Sequence, residues 1–289
     1  MHLFASLLYI IIPPGFFIGD GAGIGKGRQI SAILLDAFSR NQGNGRHLWM
    51  SVSRELIQDA RRDLADVGCH VNVHDGADML DQTTVVGGGK KGKGLGSGGS
   101  LNKGVLFVTY SLLVSGKRME DIISWLSGSS SGGGEEQQSY SGVIVFDEAH
   151  KAKNLETDTR TAKLVLALQE RLPNARVLYC SATGVSDIKH MVYATRLGLW
   201  GSANPLYPTF ESFQGTLAKR GVGAMEMLAL EMKRKGIFIA RTLSWDGAEF
   251  HTVEVKLDPA TIATYDVAGK TRARVFAIVD SRFRIQHWY

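Results

Sequence analysis

Short runs of consecutive apolar residues alternate along this chain with stretches in which apolar residues recur every three or four positions. Continuous apolar runs indicate strands that are buried on both faces, and the three-to-four spacing indicates helices with one buried side. The predicted strands include residues 16–18, 46–52, 71–73, 105–109, 143–146, 177–180 and 236–242. This alternation predicts an α/β fold built on a parallel, right-handed, doubly wound sheet.

The first apolar run breaks into a glycine-rich loop that reads GDGAGIGKGR and ends at Arg28. Alternating glycines let backbone N–H groups approach phosphate oxygens, and the lysine after them supplies a point charge. The sequence thus predicts a P-loop that binds ATP through Gly21, Gly23, Ile24, Gly25, Lys26, Gly27 and Arg28. The loop departs from the general pattern twice. Asp20 replaces its first glycine, and Gly27 replaces the Ser/Thr that ligates Mg²⁺. The alternative is a plain glycine turn.

The strand predicted at 143–146 ends in two carboxylates, Asp147 and Glu148. Open α/β sheets place their ligands at the carboxyl ends of the strands. We therefore predict that Asp147 holds Mg²⁺, directly or through water, and that Glu148 is the catalytic residue that orients and deprotonates the attacking water. The alternative is an acidic pair that caps the helix starting near Lys151.

A further apolar run, at 177–180, ends in the small hydroxyl residues Ser181 and Thr183. Hydroxyl groups at the end of a neighbouring strand can hydrogen-bond the acidic pair. We predict that Ser181 and Thr183, together with His150, couple the acidic pair to the state of the nucleotide.

Composition adds bounds to this picture. The 289 residues are enough for one large α/β domain, and 33 Lys+Arg against 28 Asp+Glu give a net charge of +5. That mildly basic balance permits contact with nucleic acid and proves none. Cys69 and Cys180 both lie in or beside apolar segments, so we expect reduced core thiols in an intracellular protein.

Two stretches, residues 87–100 and 127–139, are rich in Gly and Ser and offer almost no apolar side chains to bury, which predicts flexible surface inserts. The apolar run Leu3–Ile12 is too short to span a bilayer, so no membrane partner is expected. We divide the chain into an uncertain segment at 1–14, an ATP-binding lobe at 15–201, a helical and strand extension at 202–265 and an uncertain tail at 266–289.

The chain contains three motifs in the order GxGKx, DEAH and SAT, which resembles the first RecA-like lobe of superfamily 2 helicases. The sequence segments around these motifs are similar to the Strawberry notch family of helicase-like proteins. These segments are FFIGDGAGIGKGRQI, LWMSVSRELIQDARRDL, VIVFDEAHKAKN, SATGVSDIKHMVYATRLGLWG and FIARTLSW. In that family a glycine after the P-loop lysine is usual, so Gly27 is a family feature.

The resemblance implies a RecA-like, helicase-like ATPase core that acts in the nucleus with chromatin and transcription regulators. It places Ser51, Ser53, Thr109 and Tyr110 where helicases touch the backbone of DNA or RNA, although ordinary helix caps and strand ends explain them equally well. No second RecA-like lobe is recognisable, so we expect this chain alone to be a weak or inactive ATPase and no helicase. The alternative function is a nucleotide-binding chromatin coregulator that does not unwind.

Overall fold

A computed structural model describes residues 15–79, 103–114, 118–128, 140–152, 160–182, 188–201, 204–219, 221–242, 256 and 258–270. The chain divides into two compact units, Met1–Leu243 and Ser244–Tyr289. The predicted segment 1–14, the insert at 87–100, nearly all of the insert at 127–139 and the tail beyond residue 270 lie outside the described residues.

Seven strands in the described part of the first unit form one sheet in which every pairing is parallel. They are β1 (Gly15–Ile18), β2 (Arg46–Ser51), β3 (Val73–Asp75), β4 (Gly104–Thr109), β5 (Val143–Asp147), β6 (Arg176–Cys180) and β7 (Phe238–Ile239). Their order across the sheet is β3-β4-β2-β5-β6-β1-β7. The predicted α/β class and parallel sheet are confirmed.

Helices connect these strands. They are α1 (Lys26–Ser39), α2 (Ile57–Asp66), α3 (Tyr110–Val114), α4 (Arg118–Ser127), α5 (Arg160–Arg171), α6 (Phe210–Ala218) and α7 (Val222–Arg234). Residues 76–79 are also helical, as are residues 259–270 in the second unit. No helix in the described ranges is both long and apolar enough to cross a membrane.

The helices cover both faces of the sheet and create two apolar cores, as continuous apolar strands require. One core gathers Phe17, Phe146 and Tyr179 against α4 and α5, and the other packs Ile18 and Val145 against α1 and α2. Both cysteines are free and buried, as predicted.

Two predicted elements differ from the structure. The strand expected at 71–73 lies at Val73–Asp75, and the strand expected at 236–242 pairs only over Phe238–Ile239. That second strand is nevertheless part of the central sheet, where it pairs with β1. β7, which lies in the predicted extension at 202–265, is therefore the strand beside the one that leads into the glycine loop.

Candidate nucleotide-binding site

The glycine loop connects the carboxyl end of β1 to the first turn of α1. Gly23 and Gly25 have φ angles of 82° and 85°, the left-handed region that glycine adopts without strain. Gly25 is the N-cap of α1, and Lys26 is the first residue of this 14-residue helix. Both glycine conformations and the helix that begins at the lysine fit the P-loop that the sequence predicts, and the free N–H groups of the first helical turn face the loop.

Lys26 closes the loop on itself. Its Nζ donates to the backbone oxygens of Asp20 and Gly21, each at 3.1 Å. A lysine held by two carbonyl groups keeps its charge at the mouth of the loop and can exchange those partners for phosphate oxygens.

The carboxylate of Asp20 anchors the start of the loop. It is fully buried and accepts from Gln29 Nε2 at 2.7 Å and from the backbone nitrogen and guanidinium of Arg241. Burial opposes the charge, but the hydrogen bonds from Arg241 and Gln29 outweigh it and hold the pKa of Asp20 below its ordinary value. Arg241 is not among the site residues predicted from the sequence.

The glycine after Lys26 has a structural cause. A Cβ atom built on Gly27 would lie 1.9 Å from Asp63 Oδ2, because the carboxylate of Asp63 on α2 rests against the Cα of Gly27. A Ser or Thr side chain cannot occupy this position unless Asp63 moves. The next residue, Arg28, forms an ion pair at 2.6 Å with Asp66, which lies on α2 as Asp63 does.

Two buried hydroxyl groups hold Asp147 at the end of β5. Ser51 Oγ donates to Asp147 Oδ2 at 2.9 Å, and Tyr110 Oη donates to the backbone oxygen of Asp147 at 2.9 Å. Burial raises the pKa of Asp147, the hydrogen bond from Ser51 lowers it and the neighbouring charge of Glu148 raises it, with a net upward shift. A bound cation would favour the ionised carboxylate.

Glu148 has a φ of 49°, a left-handed conformation that is uncommon for a residue with a side chain. Such strain concentrates at functional sites. His150 Nδ1 lies 3.1 Å from Ser181 Oγ and 3.1 Å from Glu148 Oε2. Ser181 therefore reaches the acidic pair through His150, whereas the sequence suggested a hydrogen bond to the pair itself; Thr183 lies outside the described residues.

The carboxyl ends of β1, β6 and β5 are neighbours in the sheet, so the loop and the acidic pair open on the same edge. Cys180, at the end of β6, shows this convergence. Burial raises the pKa of its thiol, the charge of Asp147 adds to the increase, and the charge of Lys26 opposes it. In the described ranges no three His, Cys, Asp or Glu side chains form a complete metal site. A Mg²⁺ ion would thus need phosphate or water oxygens beside Asp147, which is its usual manner of binding.

The four residues predicted to touch nucleic acid divide into two pairs. Ser51 is fully buried and Tyr110 is 6% exposed, and both are committed to Asp147. These two side chains therefore support the acidic motif from inside the protein. The sequence could not show this, because a hydroxyl group at the end of a strand looks the same in a sequence whether it faces solvent or the core. Ser53 and Thr109 are partly exposed.

A surface cleft of about 310 Å³ lies at the carboxyl end of β4. Its polar lining includes Thr109, Ser111 and Arg54, and Arg54 pairs with Asp75 and Asp78. The sequence indicated the strand end and not the cleft, because the cleft also needs residues from the loop after β2 and from β3.

A glycine loop that leads a lysine into a helix, and an acidic pair at the same edge of a parallel sheet, define a P-loop nucleotide hydrolase. The chain belongs to the family described as P-loop containing NTP hydrolase pore-1, which matches residues 11–267. The resemblance to the Strawberry notch family is confirmed as well. The chain is 40% identical over 275 residues to protein strawberry notch homolog 2 of Mus musculus. It is 39% identical over 272 residues to the strawberry notch homolog of Caenorhabditis elegans.

A plant relative and a solved structure extend these comparisons. Protein FORGETTER 1 of Arabidopsis thaliana is 38% identical over 266 residues. The SWI2/SNF2 ATPase core of Sulfolobus solfataricus, solved in complex with dsDNA, has a similar fold, with a TM-score of 0.52 at 18% identity over 79% of this chain and 40% of that one. The alignments cover 91%, 89% and 89% of this chain but only 18%, 13% and 19% of the mouse, nematode and plant relatives.

Proposed function

We propose that this chain is the ATP-binding lobe of a Strawberry notch-type, helicase-like ATPase that uses Mg²⁺. One observation carries the proposal. Lys26, on the first turn of α1, and the Asp147–Glu148 pair converge at one edge of the sheet. A helix N-terminus with a lysine suits a phosphate chain, and a carboxylate beside it suits a hard divalent cation.

Each of these residues has a separate role in the proposed phosphoryl transfer. Lys26 leaves the loop carbonyl groups and binds the β- and γ-phosphates, while the N–H groups of Gly23, Gly25 and Gly27 approach the same oxygens. Asp147 would hold Mg²⁺, which when bound would supply positive charge against the charge that develops on the phosphate. Glu148, fixed by His150, orients the attacking water and accepts its proton.

Calorimetric titration with ATP tests the role of Lys26. Lys26→Ala should weaken binding by about tenfold or more, because one charged hydrogen-bond donor to phosphate is lost. Lys219→Ala is the control, since Lys219 is exposed at the end of α6. Equal affinity of the Lys26 variant and the wild type would remove the P-loop interpretation.

Glu148→Gln tests the chemical step. The variant should keep ATP affinity and lose turnover, because the amide retains the shape of the carboxylate and cannot accept a proton. Steady-state phosphate release, measured beside calorimetry, separates the two effects. If the variant hydrolyses ATP as fast as the wild type does, Glu148 is a helix cap and not the general base.

Contact with a nucleic acid backbone is a second part of the proposal. The fold neighbour was solved with dsDNA, and the cleft at the end of β4 presents the hydroxyl groups of Thr109 and Ser111 beside Arg54. Hydroxyl and guanidinium donors position a strand without reading its sequence. Anisotropy titrations with duplex DNA, single-stranded DNA and RNA, each with and without Thr109→Ala, test this contact. Unchanged affinities would remove the cleft from the interface.

We further propose that the parent protein acts in the nucleus with chromatin and transcription regulators, which rests on the resemblance to Strawberry notch proteins. The competing function is a nucleotide-binding coregulator that does not unwind. ATP turnover with and without nucleic acid separates the two, because an unwinding enzyme couples hydrolysis to its strand. Imaging of the tagged parent protein tests the location.

A further inference from the structure

An ion pair with a buried carboxylate ties the glycine loop to a segment more than two hundred residues later in the chain. Arg241 donates to the carboxylate of Asp20 through its backbone nitrogen at 2.8 Å, through Nε at 3.2 Å and through a terminal guanidinium nitrogen at 2.5 Å. The side chain of Asp20 is fully buried, whereas that of Arg241 is 51% exposed. A charged group is rarely buried unless it is paired, so the position of Asp20 depends on Arg241.

The backbone follows the same course as the side chains. The nitrogen of Gly19 donates to the oxygen of Ile239 at 2.7 Å, and that of Gly21 donates to the oxygen of Arg241 at 2.8 Å. The residues that follow β7 therefore run alongside the first half of the loop as an extra strand would. Arg241 reaches the loop through its main chain and its side chain together.

Asp20 also connects this anchor to the phosphate-binding lysine. Its backbone oxygen accepts from Lys26 Nζ at 3.1 Å, while its side chain accepts from Arg241 and from Gln29 on α1. A shift of Asp20 would thus move a partner of Lys26 and a contact of α1 at once. The general P-loop pattern has glycine here and no comparable anchor.

We infer that Arg241 is a positioning residue of the nucleotide site, which fixes the glycine loop through the Asp20 carboxylate and makes nucleotide affinity depend on where the segment after β7 lies. This inference rests on the proposed function, because it names what organises the proposed ATP site. Arg241 itself need not touch the nucleotide. Its effect passes through Asp20 to the loop backbone and to Lys26.

Two measurements on the full chain test the inference. The first is amide hydrogen exchange of Gly19–Gly27 without nucleotide, and the second is ATP affinity by calorimetry. Arg241→Ala should speed exchange in the loop and weaken ATP binding by about tenfold or more, since misplaced binding groups cost affinity steeply. Arg241→Lys should fall between this variant and the wild type, because lysine keeps the charge and loses the fork geometry. Arg234→Ala should change neither quantity, because Arg234 pairs with Glu231 on α7.

The double variant Asp20→Asn/Arg241→Ala guards against a trivial loss of folding, since it removes the buried charge together with its partner. It should bind ATP no more weakly than Arg241→Ala does, because both variants remove the same ion pair. Unchanged loop exchange in Arg241→Ala overturns the inference whatever the affinity is. A wild-type chain that binds no ATP refutes the proposed function, and loop exchange still decides the role of Arg241.

Discussion

Replacing Gly27 with alanine adds one methyl group where Asp63 leaves no room for it. The new Cβ would lie 1.9 Å from Asp63 Oδ2 and 3.0 Å from its carboxyl carbon, although ordinary contacts begin near 3.4 Å. The carboxylate, at the end of its side chain, must turn aside by about 1.5 Å or α1 must shift, and because a side-chain end can move, the overpacking cost is about 1–2 kcal/mol. Alanine in a helix returns about 0.5–1 kcal/mol relative to glycine. The net expectation is a loss of about 0–1.5 kcal/mol.

Urea unfolding of the wild type and the variant measures this loss. Gly223→Ala is a closely matched control, because Gly223 is the second residue of α7 as Gly27 is of α1, and a Cβ atom there would meet nothing within 4 Å. The control should gain about 0.5–1 kcal/mol. Two glycines at the same helical position should thus differ in their response by about 1–2 kcal/mol, which is the overpacking cost alone.

The source of the cost is tested by removing the carboxylate. Asp63→Ala should make Gly27→Ala tolerable, so the double-mutant cycle should show a favourable coupling of about 1–2 kcal/mol. If Gly27→Ala is as stable as Gly223→Ala, or if the cycle shows no coupling, Asp63 does not exclude side chains from this position. The family glycine would then need another explanation.

Two further predictions concern buried groups. Ser51→Ala should weaken Mg²⁺-dependent ATP binding by about fivefold, because Asp147 loses one hydrogen bond of about 1 kcal/mol. His47→Asn should remove an acid sensitivity of the fold. Burial lowers the pKa of His47 from 6.5 to about 4, so the unfolded chain binds a proton that the folded chain refuses. Stability is then complete above pH 6.5 and falls as the pH drops towards 4, by about 3 kcal/mol in total.

Controls for these two predictions lie nearby in the chain. Ser53→Ala, which alters a partly exposed helix cap, should leave Mg²⁺ dependence unchanged. For His47, urea unfolding between pH 4 and 8 should give a flatter stability profile in the asparagine variant, whose amide oxygen can still accept from the nitrogen of Val143. His70→Asn at an exposed site should follow the wild type. Parallel profiles for His47→Asn and the wild type would refute the assignment.

The sequence predicted the sheet well because most of its strands are continuous apolar runs that are buried on both faces of the sheet. Phe146 and Tyr179, for instance, belong to runs that fit only a buried strand or a buried helix, and the short length of those runs favoured the strand. β7 was harder, because only Phe238 and Ile239 pair with β1 and the polar residues after them continue beside the loop.

The parts of the site that the sequence missed depend on contacts between distant positions. Asp20 and Arg241 are 221 positions apart, and Asp63 reaches Gly27 from another helix. No spacing rule connects such residues, because a motif describes only neighbours along the chain. The signal that was available lay in the departures from the general P-loop pattern, since Asp20 and Gly27 are the two residues that those distant partners hold.

The place of β1 in the sheet also bears on how the protein is made. β1 is the first described strand to leave the ribosome, yet its two neighbours, β6 and β7, are the last. At about 5–20 residues per second, the 221 positions between Asp20 and Arg241 take about 10–45 s to synthesise. For the whole of that interval the glycine loop lacks its anchor, and for most of it the loop also lacks both flanking strands. A nascent chain therefore acquires its complete phosphate loop only after the lobe and the segment through Arg241 have been translated, and nucleotide capture would mark the end of that synthesis.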